Sequence, residues 1–94
     1  MEFRKGILFI RLKGDLNKDT IKGIIDKDFK YVVLNIDDMY SIDSYSIKYL
    51  NKIYKLYENN NNKFIICDKF NVSRKLLRDI PKINREYDAF ELCS

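Results

Sequence analysis

Residues 31–50, YVVLNIDDMYSIDSYSIKYL, decide the fold of this 94-residue chain. The run from Tyr31 to Ile36 is β-branched and apolar on both alternating faces, which is typical of an inner strand covered on both sides. An acidic loop is predicted next, at 37–40. From Ser44 onward, apolar residues recur at three- and four-residue steps, the pattern of an amphipathic helix. The inward positions of that helix are Ile47, Leu50, Ile53, Tyr54 and Tyr57.

The segments on either side continue the alternation of strands and helices. Strands are predicted at 2–4, 7–12, 63–67 and 82–84, with a break at 13–15. One helix is predicted after an N-cap at Asn17 or Asp19, with Ile21, Ile24 and Ile25 as its apolar stripe. Another follows a cap at Asn71 or Ser73, has Val72, Leu76, Leu77 and Ile80 facing inward, and ends at Pro81. A last helix is predicted within 85–92.

The resulting order is β-β-α-β-α-β-α-(β)-α. Strands that alternate with helices indicate an α/β fold with a mainly parallel sheet. We therefore predict a single domain over residues 1–94, with a central mixed sheet of four to five strands and about four helices.

Composition narrows the functional class. At 46% hydrophobic and 34% charged residues, the chain reads as globular. The longest apolar run, at 6–10, is too short to span a bilayer, and the N-terminus lacks the apolar core of a signal peptide, so a cytoplasmic protein with no membrane partner is expected. The net charge of +4 is spread along the chain without a dense basic block. This favours an ordinary solvated surface over nucleic-acid binding.

No catalytic constellation is present in the sequence. The chain has no histidine, and its three glycines do not form a phosphate-binding loop. Asp37, Asp38 and Asp43 could in principle hold Mg²⁺, but capping of a helix by Asp43 is the stronger interpretation. A disulfide between Cys67 and Cys93 is disfavoured. We therefore expect a non-enzyme without cofactor or metal.

Ser44 is the candidate of interest because of where it lies. A hydroxyl on the first turn of a helix faces the positive end of the helix dipole and its free amide groups. A phosphate added there would be well accommodated, and it would bring about two negative charges. The alternative is that Ser44 only helps to cap the helix.

Three stretches resemble one known family. They are ILFIRLKGDLNKDT at 7–20, VVLNIDDMYSIDS at 32–44 and KFIICDKFNVSRKLL at 63–77. Together they resemble the STAS family, the fold of bacterial anti-sigma factor antagonists. The specific part is the Asp43-Ser44 pair, and the rest is a pattern of apolar spacing.

The resemblance implies a phosphorylation switch. In that family, the serine after the aspartate is phosphorylated by a partner kinase, which is often itself the anti-sigma factor. The unphosphorylated form binds the kinase and frees the sigma factor, and a phosphatase would reverse the modification. Carried over, Ser44 is the switch and Asp43 is its neighbour.

A partner surface is expected around this pair. It comprises the turn Asp15, Leu16 and Asn17, and the helix positions Tyr45, Ser46, Lys48, Tyr49 and Lys52. Tyr45, Lys48, Tyr49 and Lys52 share one helix flank by their spacing, although Tyr49 could instead lean onto the core.

Two rival functions stay open at this stage. Tyr45 and Ser46 stand where the family has a second Ser/Thr and a glycine, which favours a STAS-type interaction module that is not phosphorylated. Such a module would be a scaffold or a partner associated with a transporter. The second rival is a small basic domain that binds nucleic acid.

Overall fold

The computed structural model describes residues 1–21 and 29–93 of the chain. A sheet of five strands carries three α-helices and one 3₁₀ turn within that part. The elements are β1 (Glu2–Arg4), β2 (Ile7–Leu16), α1 (Lys18–Ile21), β3 (Tyr31–Ile42), α2 (Ser44–Asn59), β4 (Lys63–Cys67), β5 (Lys82–Ile83), the 3₁₀ turn (Glu86–Asp88) and α3 (Ala89–Leu92).

The strands lie in the order β1-β2-β3-β4-β5. β1 pairs with β2 in antiparallel fashion, and every later pair is parallel. β3 is the middle strand, and its residues Val32, Val33 and Leu34 are fully buried. The predicted mixed, mainly parallel sheet and its doubly covered inner strand are therefore confirmed.

Two predicted breaks are wrong, because β2 and β3 are longer than their apolar runs. The break at 13–15 and the loop at 37–40 both lie inside strands. β4 ends opposite Asn35, yet β2 and β3 continue to pair as far as Leu16 and Ile42, with two register shifts. Polar side chains point to solvent along this two-stranded extension, while Leu12, Met39 and Ile42 pack against the core. The polar residues of the extension therefore occupy the solvent-facing positions of two strands and do not mark a turn.

The two faces of the sheet carry separate cores. We call the side covered by α2 the first face. On it, Leu50 and Tyr57 of α2 are buried, and Ile47, Ile53 and Tyr54 are half-buried against the same cluster, which confirms the predicted inward stripe. The second face is covered by residues 86–93. Its smaller cluster includes Ile7, Phe9, Val33, Ile65, Cys67, Ile83 and Ala89.

The first predicted helix is described only in part. Asn17, one of the two predicted caps, accepts hydrogen bonds at its Oδ1 from the amides of Asp19 (3.0 Å) and Thr20 (3.2 Å). α1 follows directly and buries Ile21. The predicted stripe residues Ile24 and Ile25 lie outside the described residues.

The helix predicted after Asn71 or Ser73 does not form. Residues 69–80 are turns, and Leu77 and Ile80 are buried as predicted whereas Val72 and Leu76 are exposed. The buried carboxylate of Asp68 binds the amides of Val72 (3.0 Å) and Ser73 (2.8 Å). Arg74, Lys75 and Arg78 would lie three and four residues apart on such a helix, where like charges repel. The fold therefore has three α-helices in the described part rather than about four.

The C-terminal elements agree with the sequence. β5 confirms the brief strand predicted at 82–84, and α3, preceded by the 3₁₀ turn, confirms the last helix. Cys67 and Cys93 are both free thiols. Within the described residues, no helix has the length and apolar character needed to cross a membrane.

Candidate functional site: the N-terminus of α2

Asp43 caps α2, which begins where the β2–β3 extension ends. Its backbone is extended (φ −87°, ψ 170°), and its Oδ1 accepts a hydrogen bond from the amide of Ser46 at 2.8 Å. That amide is the principal cause that holds the pKa of Asp43 below its ordinary value. The carboxylate therefore stays ionised and satisfies one of the free donors of the first helical turn.

The turn after β2 is joined directly to this cap. The amide of Asp43 donates to the carbonyl of Leu16 at 2.9 Å, and the amide of Lys18 donates to Asp43 Oδ2 at 3.3 Å. One strand pair earlier, the Ser41 hydroxyl donates to Asp15 Oδ1 at 2.7 Å. Residues 15–17 thus lie beside the Asp43-Ser44 pair, as predicted. The parallel register of two long strands brings them there.

Ser44 is the first residue of α2 and is exposed. Its hydroxyl makes no hydrogen bond with any residue of the described part, and Asp43 rather than Ser44 is the cap. The amides of the first two helical residues have no acceptor within a helix by geometry. Ser44 therefore presents a free hydroxyl at the positive end of a 16-residue helix.

The predicted helix flank is present as a surface. Tyr45, Lys48, Tyr49 and Lys52 line a depression of about 230 Å³ beside Ser44. Tyr45 is 41% exposed, and both lysines are exposed. Tyr49 is half-buried and also packs against the first-face core, which confirms the alternative that its side chain leans onto the core. We call these four residues the α2 flank.

Two of the predicted surface residues do not reach the surface. Leu16 is 2% exposed and Ser46 is 0% exposed. Leu16 belongs to the first-face core, and Ser46 lies beneath the first turn of α2. The Ser46 hydroxyl lacks hydrogen-bonding geometry with any described acceptor. These side chains can support a docking surface from below but cannot form its contacts.

The three aspartates considered as Mg²⁺ ligands have different roles and do not form one site. Asp43 holds the helix cap, and Asp37 Oδ1 accepts a hydrogen bond from the amide of Lys69 at 2.7 Å. Asp38 is exposed on the β2–β3 extension, where the strand register places it opposite Lys13. Across residues 1–21 and 29–93, no three metal-ligating side chains converge on one point.

The sequence interpretation missed two features close to the site. One is Ser41, a second exposed serine three residues before Ser44, which the strand register pairs with Asp15. The other is the backbone amide of Lys18, which ties α1 to the cap of α2. Both were missed because the sequence interpretation ended the central strand at residue 36, before the part that pairs with the end of β2.

Comparison with known proteins supports the fold. No family model and no curated protein matches the sequence. Among solved structures, the chain is similar in shape to the anti-sigma factor antagonist SpoIIAA in its unphosphorylated form. The similarity has a TM-score of 0.75 at 15% sequence identity, and it covers 99% of this chain and 94% of that one. The STAS-type fold expected from the three stretches is thereby confirmed.

Proposed function

We propose that this protein is a non-enzymatic anti-sigma factor antagonist that is switched by phosphorylation of Ser44. Unphosphorylated, it binds an anti-sigma factor that is also a serine kinase, and once phosphorylated it releases that partner. The observation that carries the proposal is the exposed hydroxyl of Ser44, which no described residue bonds, directly after the capping Asp43 on a chain with the fold of SpoIIAA.

The site is suited to accept a phosphate. The free amides of the first turn of α2 and the helix dipole both favour an anion at residue 44. Lys48 lies one turn further along the same face, at i+4, where it can pair with the phosphate. The cost of the modification within the protein itself is therefore small, although Asp43 is a nearby like charge.

The same modification would disrupt docking. The α2 flank combines two tyrosines with two exposed lysines, a composition that fits a partner with apolar depressions and carboxylates. A phosphate on Ser44 would add about two negative charges at the edge of that flank and would engage Lys48. Carboxylates of the partner would then be repelled where they were previously attracted.

The rest of the proposal follows from this switch. A phosphatase returns the phosphorylated form to the binding-competent state. The protein acts in the cytoplasm, where the kinase, the sigma factor and ATP are found together.

The test uses three baits made from the full chain: wild type, Ser44→Ala and Ser44→Asp. Ser41→Ala serves as the matched control, because Ser41 is also an exposed serine of the same surface. Proteins retained from cells of the source organism are identified by mass spectrometry, and the wild-type bait is examined for phosphoserine. We expect an ATP-binding serine kinase to be retained by wild type, Ser44→Ala and Ser41→Ala, and to be lost with Ser44→Asp.

The other outcomes are equally informative. Equal retention of one partner by all four baits would overturn the switch and favour an interaction module that is not phosphorylated. Phosphate found on Ser41 and not on Ser44 would overturn the assignment of the switch to Ser44. Retention of nucleic acid alone, abolished by added salt, would favour the nucleic-acid-binding rival.

A further inference from the structure

One segment near the C-terminal end of the chain carries a high local positive charge. Residues 69–82, KFNVSRKLLRDIPK, contain five Lys and Arg and one Asp, a net charge of +4. The whole chain has 18 basic and 14 acidic residues, so the remainder carries 13 of each and is neutral. We call residues 69–82 the basic segment.

The basic segment is fixed to the domain from within. The buried carboxylate of Asp68 accepts hydrogen bonds from the amides of Val72 and Ser73 and from the Ser73 hydroxyl (2.6 Å). Leu77 and Ile80 are buried in the first-face core. The segment is consequently an anchored loop whose remaining side chains are held at the surface.

Most of its cations have no partner among residues 1–21 and 29–93. Arg74, Lys75, Arg78 and Lys82 line an open depression of about 760 Å³ together with Ile80 and Pro81. The Lys82 ammonium is occupied, since it donates to the carbonyls of Leu77 and Ile80. Arg74, Lys75 and Arg78 are exposed and make no ion pair or side-chain hydrogen bond with the described residues.

Apolar side chains are exposed on the same segment. Phe70 is 65% exposed, Val72 54% and Leu76 45%. In the chain they lie among the cations between Lys69 and Arg78, and the Lys69 ammonium lies 5.6 Å from the centre of the Phe70 ring. Exposed apolar groups of this kind mark a contact surface for a protein or a membrane.

We propose that the basic segment binds the surface of an anionic phospholipid membrane. The core of a protein interface is poor in charged residues, whereas this segment has five cations and one aspartate within 14 residues, with apolar side chains exposed among them. At a membrane surface the two coexist, because cations stay at the level of the phosphates while apolar side chains reach deeper. Nucleic acid is the weaker fit, since two of the three exposed apolar residues are aliphatic and cannot stack on bases.

This contact is separate from the proposed switch and involves none of its residues. It departs from the expectation of no membrane partner, which rested on the lack of a long apolar run. A surface contact needs no such run: a cluster of four or more Lys and Arg beside apolar side chains is sufficient to bind anionic lipid.

The test is co-sedimentation of the full chain with vesicles. One set contains phosphatidylglycerol mixed with phosphatidylcholine, and the other contains phosphatidylcholine alone. We expect binding to the anionic set only. The triple variant Arg74→Gln/Lys75→Gln/Arg78→Gln should bind about a hundredfold more weakly, because each cation near such a surface contributes about fivefold. Phe70→Ser/Leu76→Ser should also bind more weakly, by at least tenfold.

A control separates local from total charge. Lys13→Gln/Lys30→Gln/Lys55→Gln removes the same charge from exposed positions outside the segment, and it should bind as wild type does. Equal weakening by both triple variants would overturn the proposal, as would failure of the wild type to bind anionic vesicles. Binding of generic single-stranded RNA that is lost in the arginine and lysine variant but unaffected by Phe70→Ser/Leu76→Ser would assign the segment to nucleic acid instead. Circular dichroism of every variant verifies that it is folded.

Discussion

The two faces of the sheet are stabilised in different ways. On the first face, α2 inserts Leu50 and Tyr57 into a large apolar cluster. On the second face, the short C-terminal elements cover a smaller cluster, and a polar network holds them in place. In that network the Arg11 guanidinium donates to both carboxylate oxygens of Glu86 (2.9 and 2.6 Å) and to Glu2 (2.9 Å).

Asn35 completes this network from the central strand. Its side-chain amide donates to Glu86 Oε2 at 2.7 Å, so Glu86 is bonded to both β2 and β3. The guanidinium of Arg11 and the amide of Asn35 hold the pKa of Glu86 below its ordinary value of 4.5, with Arg11 the larger cause. The face that carries the proposed switch is thus held by apolar packing, whereas the opposite face combines a smaller apolar cluster with an ionised network.

Removal of apolar packing should therefore have its largest effect on the first face. Leu50→Ala should lower the free energy of unfolding by about 3 kcal/mol, because a fully buried leucine leaves a cavity. Phe90→Ala on the second face should cost about 1.5 kcal/mol, since its ring is only half-buried against Phe9 and Tyr87. Urea denaturation measures both. Equal losses would show that the two faces do not differ in this respect.

Neutralisation of Glu86 should have a smaller effect, and one that depends on pH. Glu86→Gln should lower the free energy of unfolding by about 1 kcal/mol at neutral pH, because one charge-assisted pair is lost at a partly exposed site. Since the folded state lowers the pKa of Glu86, the wild type has this stabilisation above pH 4.5 and loses it as the pH falls through the lower folded value. The two unfolding curves should thus converge in acid.

The matched control is a more exposed ion pair of the same region. Asp88→Asn removes the partner of Arg85, whose side chain is 73% exposed, and it should leave stability unchanged at every pH. A constant gap between Glu86→Gln and wild type from neutral pH down to pH 3 would contradict the assigned role of ionisation.

How far the sequence predicts this architecture depends on the range of each interaction. The buried strand at 31–36 and the stripe from Ile47 to Tyr57 were predicted correctly, because periodicity within one element determines which side is buried. The cap at Asp43 is likewise local. The Arg11–Glu86 pair spans 75 residues, and no local pattern announces it.

The wrong predictions also concern contacts between residues that are distant in the sequence or that depend on the tertiary structure. Asp37 and Asp38 look like a loop by composition, yet pairing with β2 keeps them in a strand. Leu77 and Ile80 were correctly placed in the core, but the segment between Asn71 and Pro81 forms turns that are bonded to the buried Asp68 carboxylate rather than a helix. Sequence located Ser44 at the start of α2, whereas the burial of Leu16 and Ser46 required the tertiary structure.

The smallest effect is expected at Ser46, beneath the proposed switch. Its hydroxyl is fully buried without a partner of hydrogen-bonding geometry, so its desolvation is not compensated. Ser46→Ala should leave the free energy of unfolding unchanged or raise it by about 0.5 kcal/mol. Partner capture by the α2 flank should also be unchanged, because the side chain has no exposed surface.

Ser73 provides the contrast that makes this small effect interpretable. It is equally buried, but its hydroxyl and amide both donate to the buried carboxylate of Asp68. Ser73→Ala should therefore cost about 2 kcal/mol, since the Asp68 carboxylate loses one of its donors. If Ser46→Ala were as costly as Ser73→Ala, the Ser46 hydroxyl would have to be bonded in solution, with the adjacent Asp43 carboxylate as its acceptor. The N-terminus of α2 would then be held by polar contacts, as the second face is, and the contrast between the two faces would not extend to the switch.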